Sequence, residues 1–149
     1  AECGTAVGIT LGGHKVVTGC SYNEEVKTWE WEKSNGWMTR PSLFGTKGFG
    51  TSLSLSAYGT SMVIGNPIAG SASNGEGTFY IWNNGYFAKA AQETGKANSW
   101  AGYSVANSPD GGTFTCGCPR ASPNGKYSGS VSIYSRPPDE PSNHDDDDD

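Results

Sequence analysis

The chain has 149 residues, of which 22 are glycine and only 17% are charged. That length bounds it to one domain with a modest core, and the glycine excess suits many short strands joined by tight turns. Ten of the fifteen acids balance the ten Lys and Arg, so the net charge of −5 comes from the five aspartates at 145–149. No basic patch suits nucleic acid, and no apolar run approaches the roughly 20 residues of a membrane helix.

In chain order, the first unit opens on the segment from Cys3 to Thr10 and continues through Val16-Val17-Thr18-Gly19. Residues 26–31 read as its third strand, Asn35-Gly36 as a primed hairpin turn, and Trp37 onward as its fourth strand. The second unit shows the plan best. Residues 51–56 alternate polar positions with Leu53 and Leu55, the signature of a half-buried strand. Residues 61–65 follow, with Met62 and Ile64 on one face, then a Gly, Ser and Asn loop. Residues 78–82 form a third strand with Phe79 and Ile81 pointing one way. Asn84-Gly85 is a second hairpin signal, and residues 86–91 read as a fourth strand. A short helix over 88–92 is the alternative, because that stretch lacks β-branched residues. The third unit stops after its third strand, at Tyr134. Arg136-Pro137-Pro138-Asp139-Glu140-Pro141 cannot pair as a central strand, since proline donates no hydrogen bond; it reads as extended and polyproline-like. The aspartates that follow repel one another and predict a disordered tail. Because the chain begins at Ala1, it reads as a processed mature chain or an excised fragment.

These units are copies. Phe49-Gly50-Thr51-Ser52-Leu53-Ser54-Leu55-Ser56 recurs 52 residues later as Ala101-Gly102-Tyr103-Ser104-Val105-Ala106-Asn107-Ser108. Gly65-Asn66-Pro67 recurs as Gly117-Cys118-Pro119, and Gly77-Thr78-Phe79-Tyr80-Ile81-Trp82 as Gly129-Ser130-Val131-Ser132-Ile133-Tyr134, without a gap. The segment from Cys3 matches that from Phe49 at an offset of 46. Repeats of this length mean propeller blades or solenoid units, and such a unit must stack on a neighbour to bury its apolar face. The sequence therefore predicts an all-β fold of three tandem four-stranded antiparallel blades of β-propeller type, the last incomplete. The blades span about 3–48, 49–100 and 101–134 within a repeat domain over 1–134, followed by a Pro-rich then acidic tail over 135–149.

The Phe49-Gly50 element, the Gly65-Asn66-Pro67 and Gly117-Cys118-Pro119 elements and the apolar strand after each resemble the FG-GAP repeat. The resemblance covers about residues 3–134. It implies four-stranded propeller blades, as in the integrin α-chain head and in large secreted or surface proteins, with roles in adhesion and assembly. It does not bring calcium: Ser56-Ala57-Tyr58-Gly59 and Ser108-Pro109-Asp110-Gly111 lack the acids of the family's Asp-x-Asp-x-Asp-Gly loop. Three blades also fall short of the roughly four to eight that close a propeller.

Four cysteines in a loop-rich β chain favour an oxidising, extracellular setting. Cys3 starts the first strand of its unit and Cys20 ends the second, so the two are neighbours in a hairpin and a bond between them fits. Cys116 and Cys118 share one strand face and are poorly placed for a mutual bond. A bond to another chain is the alternative, and a metal site lacks ligands, since only His14 and His144 remain. Trp29 and Trp31 are two apart and share one strand face, and Trp37, Trp82, Tyr86 and Trp100 fall near strand ends. They read as inter-blade packing, or as a stacking platform for sugars or an assembly interface. Catalysis has little support. His14 lies in a turn, Gly102-Tyr103-Ser104-Val105-Ala106 lacks the last glycine of a nucleophile elbow, and Glu24, Glu25, Glu30 and Glu32 read as solvent-facing charges. No Asn-x-Ser/Thr site is present. Ser42, Ser108, Ser122 and Ser142 beside proline, and the Pro137-Pro138 pair, are candidates for O-linked sugar.

The reading is an extracellular structural protein, not an enzyme, with no cofactor and no bound metal. It assembles with copies of itself into a ring or filament, by blade stacking or by strand complementation at the open edge of the last blade. The alternatives are a carbohydrate-binding or adhesion module that meets glycans or surface proteins, or a fragment of a longer propeller.

Overall fold

A computed structural model describes residues 3–83 and 85–135. Among the described residues, eleven strands form three antiparallel sheets, with one 3-10 turn at Ser21–Asn23. The first sheet is β1 (Ala6–Ile9), β2 (Lys15–Cys20), β3 (Glu25–Glu32) and β4 (Gly36–Phe44). The second is β5 (Ser52–Leu55), β6 (Ser61–Asn66), β7 (Glu76–Asn83) and β8 (Tyr86–Thr94). The third is β9 (Ser104–Asn107), β10 (Thr113–Cys118) and β11 (Ser130–Ser135). Each sheet is a meander whose spatial order follows the chain, as short tight turns require. The chain is thus three blades of β-propeller type, four-, four- and three-stranded among the described residues.

The blades stack face to face. Val17 and Val26 of the first blade pack with Met62, Ile64, Tyr80 and Phe87 of the second. The other face of the second blade, Val63 and Phe79, packs on Phe114 and Cys116 of the third. Phe79, Phe114 and Tyr134 form a row of stacked rings, with centroids 5.1 and 5.0 Å apart.

The alternation of β5 suggests a sheet wet on one side, but β6 is buried along its whole length. Both of its faces are covered because a blade lies on each side. The region 88–92 is strand rather than helix: β8 runs to Thr94, paired with β7 through Thr94↔Glu76. Cross-strand pairing there outweighs weak local helix propensity. The third unit departs from gapless repetition. Thr115 pairs with Ile133 where Val63 pairs with Phe79, so β11 sits two residues further on than the aligned motif. A shift of two keeps every side chain on its original face, so the apolar pattern tolerates it. Glu30 and Glu32 are half-buried rather than solvent-facing: both accept from the Arg40 guanidinium on the neighbouring strand, Glu30 at 2.9 Å. The turn residue Asn84, the proline segment and the acidic tail lie outside the described residues.

Candidate interaction surface

Surface left over from stacking defines the candidate site. The outward face of the first blade carries Val7 and Ile9 on β1, Trp29 and Trp31 on β3 and Trp37 on β4. Val7 is 69% exposed, Ile9 65%, Trp31 44% and Trp37 49%. Trp31 and Trp37 pair edge-to-face across β3 and β4, with centroids 5.7 Å apart. Alternation puts Trp29 and Trp31 on one side, and the antiparallel register adds Trp37.

At the other end of the stack, the third blade turns Val131 and Ile133 outward, 67% and 69% exposed. Its last strand, β11, pairs only with β10 among the described residues, so one row of backbone groups is open. Beside this edge lie two grooves of about 800 and 470 Å³. They run between β8 and β11, lined by Glu93, Cys116, Cys118 and Arg120 in one and by Ala91 and Ile133 in the other.

Other predicted residues sit elsewhere. Trp82 belongs to the interface between the first and second blades, and it is not a free sugar platform. The Lys15 ammonium lies 3.3 Å from its ring centre and donates to the Gly59 carbonyl at 3.1 Å. Burial pulls Lys15 down to about 8 against the attraction of Glu30. Sequence reading missed Lys15, because a lysine beside a turn carries no sign that a neighbouring blade will cover it. Trp100 stacks on Tyr103 and lies 4.7 Å from the Arg120 guanidinium, which also covers Tyr127. Arg120 was likewise unmarked in the sequence. Tyr86 is exposed at the start of β8.

Cys3 and Cys20 are bonded, tying the entry of β1 to the end of β2. Cys116 and Cys118 are free and buried. Burial, with Cys118 and Glu93 nearby, pushes the Cys116 thiol up to about 11, which suits packing rather than reaction. Ser42 is half-buried in β4, and the Ser108 hydroxyl is engaged by Asp110 in its turn. Ser122 is exposed and accepts from the Tyr127 amide. Ser142, Pro137 and Pro138 lie outside the described residues. No described helix is long and apolar enough to cross a membrane.

No protein-family model and no curated protein matches this sequence. Solved structures do resemble it. A candidate 6-phosphogluconolactonase from Bacteroides uniformis superposes with a TM-score of 0.63 at 12% identity, over 93% of this chain and 37% of its own. The Cps50 (Swd1) β-propeller domain from Myceliophteria thermophila gives 0.60 at 16% identity, over 87% and 38%. Kuenenia stuttgartiensis hydrazine synthase gives 0.61 at 9%, over 89% and 32%. At such identities the likeness is one of fold. The chain spans between about a third and two fifths of the length of these structures.

Proposed function

We propose that this protein is an extracellular structural protein, without catalytic activity, that assembles with other copies of itself into a ring or filament. The observation that carries this reading is the open stack: among the described residues, an uncovered aromatic and aliphatic face at one end, and at the other an uncovered aliphatic face with an unpaired strand edge. Blades bury their faces by stacking, so three of them leave surface that further polypeptide stabilises by covering. A body balanced in charge offers little repulsion to association. The Cys3–Cys20 bond supports an oxidising, extracellular setting. Description as FG-GAP-like blades belongs to the same proposal, supported by the positions of Gly50 and Gly102 at the entries of the second and third blades.

Light scattering and negative-stain electron microscopy of the full chain test it. Particles of two or more chains at micromolar concentration are expected, and a monomer at every concentration overturns the reading. The Trp31–Trp37 pair favours a second reading, a face that stacks on sugars; monomers retaining glycans on an array would establish that one instead.

A further inference from the structure

The open faces are the two halves of an interface that the chain already builds twice. Strand pairings set the register. Val17 pairs with Thr28 as Val63 pairs with Phe79, and Trp31 with Trp37 as Trp82 with Phe87. Val7 and Ile9 then correspond to Leu53 and Leu55, and the Trp31–Trp37 pair to the edge-to-face pair Trp82–Phe87. The second-blade members of these pairs all pack against the first blade. At the other end Ile133 corresponds to Phe79, which is 5% exposed beneath the third blade, whereas Ile133 is 69% exposed.

Backbone contacts repeat as well. At each internal junction a glycine of a blade's second strand meets the carbonyl of the glycine that opens the next blade: Gly19 meets Gly50, and Gly65 meets Gly102. A methyl group on Gly19 or Gly65 would collide with that carbonyl. The Ser52 hydroxyl donates to the Gly102 carbonyl at 2.8 Å. One member of each kind is left over. Gly117 occupies the second-strand position, with the Ser104 hydroxyl over it as Ser52 lies over Gly65. Gly4 occupies the opening position, with φ of +96° against +88° at Gly50 and +80° at Gly102, and a Cβ there would touch nothing described. Gly4 and Gly102 donate alike to the Gly19 and Gly117 carbonyls, at 2.9 and 3.1 Å.

Resting on the self-assembly reading, we infer that the outward face of the third blade docks on the outward face of the first blade of a second copy, Gly117 against Gly4 and Ile133 beneath the Trp29–Trp31–Trp37 surface. Two copies make six blades, inside the range of about four to eight over which propellers close. Each then meets the other through both ends. Some internal hydrogen bonds do not carry over. Asn107 donates to Ser54 and Ser61 of the second blade at 3.0 and 2.9 Å, but Ile9 stands at its position in the first blade. Leu11 donates to Ala57, and Ala57 to Pro109, at 2.7 and 2.8 Å, but Pro109 has no N–H to continue the series. The contact between copies thus lacks hydrogen bonds that the contacts within a chain make.

Exposed substitutions test this without disturbing the internal core. The wild type is expected at twice the 15.6 kDa chain mass in light scattering, and Val7→Glu with Ile9→Glu, or Val131→Glu with Ile133→Glu, at the mass of one chain. Gly8 faces Leu53 at the first junction, and by register Ala106 faces Val7 of the second copy. Val7→Cys with Ala106→Cys should therefore give a disulfide-linked pair on a non-reducing gel. Those two positions lie at opposite ends of one chain's stack, so the bond cannot form within it. If the wild type assembles while both charged variants assemble equally and the cysteine variant stays unlinked, this docking is overturned and assembly through the β11 edge stands. A wild type that remains a monomer removes both.

Discussion

Lys15 shows how much a single position owes to its neighbours. Its ammonium is buried between two blades, held by the Trp82 ring and the Gly59 carbonyl. Because its folded pKa of about 8 lies below the ordinary 10.5, the unfolded chain keeps a proton that the folded chain releases between those values. Stability from this residue therefore rises as pH climbs through that window. Cys116, raised to about 11, acts in the opposite sense above pH 9, so the comparison must be made against Lys15→Met. Denaturant midpoints should show the wild type gaining about 1 to 2 kcal/mol on the variant between pH 7.5 and 10.5, less than the shift alone implies because the Trp82 ring favours the charged form. Equal pH dependence of the two proteins would mean that Lys15 is not buried as described.

Between elements, contact is close enough to dictate residue type. Gly65 on β6 lies against the Gly102 carbonyl, where the backbone of the third blade enters. A methyl group there meets main chain, which cannot rotate aside. Gly65→Ala should cost about 3 kcal/mol in equilibrium unfolding. Gly117 holds the same place on β10 and within one chain meets only the Ser104 side chain. Gly117→Ala should leave the monomer's unfolding midpoint within about 0.5 kcal/mol of wild type, since a serine rotamer can give way. Equal losses at the two positions would refute the junction geometry. The same equivalence was only partly legible in the chain: motif spacing shows Gly65 and Gly117 as counterparts, but not that a carbonyl sits over the first.

For the molecule as a whole, the balance of charge matters more than its net value. The described surface at both ends of the stack carries exposed apolar side chains, Val7, Ile9, Trp31 and Trp37 at one and Val131 and Ile133 at the other, and the excess negative charge lies in residues 145–149. Assembly driven by covering such faces depends on salt far less than assembly driven by charge pairing, because screening acts on exposed charges. The dissociation constant should change by less than about threefold between 0.05 and 0.5 M NaCl. A tenfold weakening in sedimentation would instead point to the Lys27, Glu25 and tail charges as the contact.

Local pattern alone showed most of the strands, their grouping into three copies and the proximity of Cys3 to Cys20, since each rests on alternation, turn chemistry or hairpin geometry between near neighbours. Tertiary structure decided which side of each strand is dry. Trp31 and Trp82 occupy equivalent positions in two copies of one motif, yet the first is exposed and the second lies under Lys15. The two-residue slide of β11 was equally silent, because it preserves the face of every side chain. Alternation records that one face of a strand is covered, whereas the fate of the other depends on whether a further blade stands beside it.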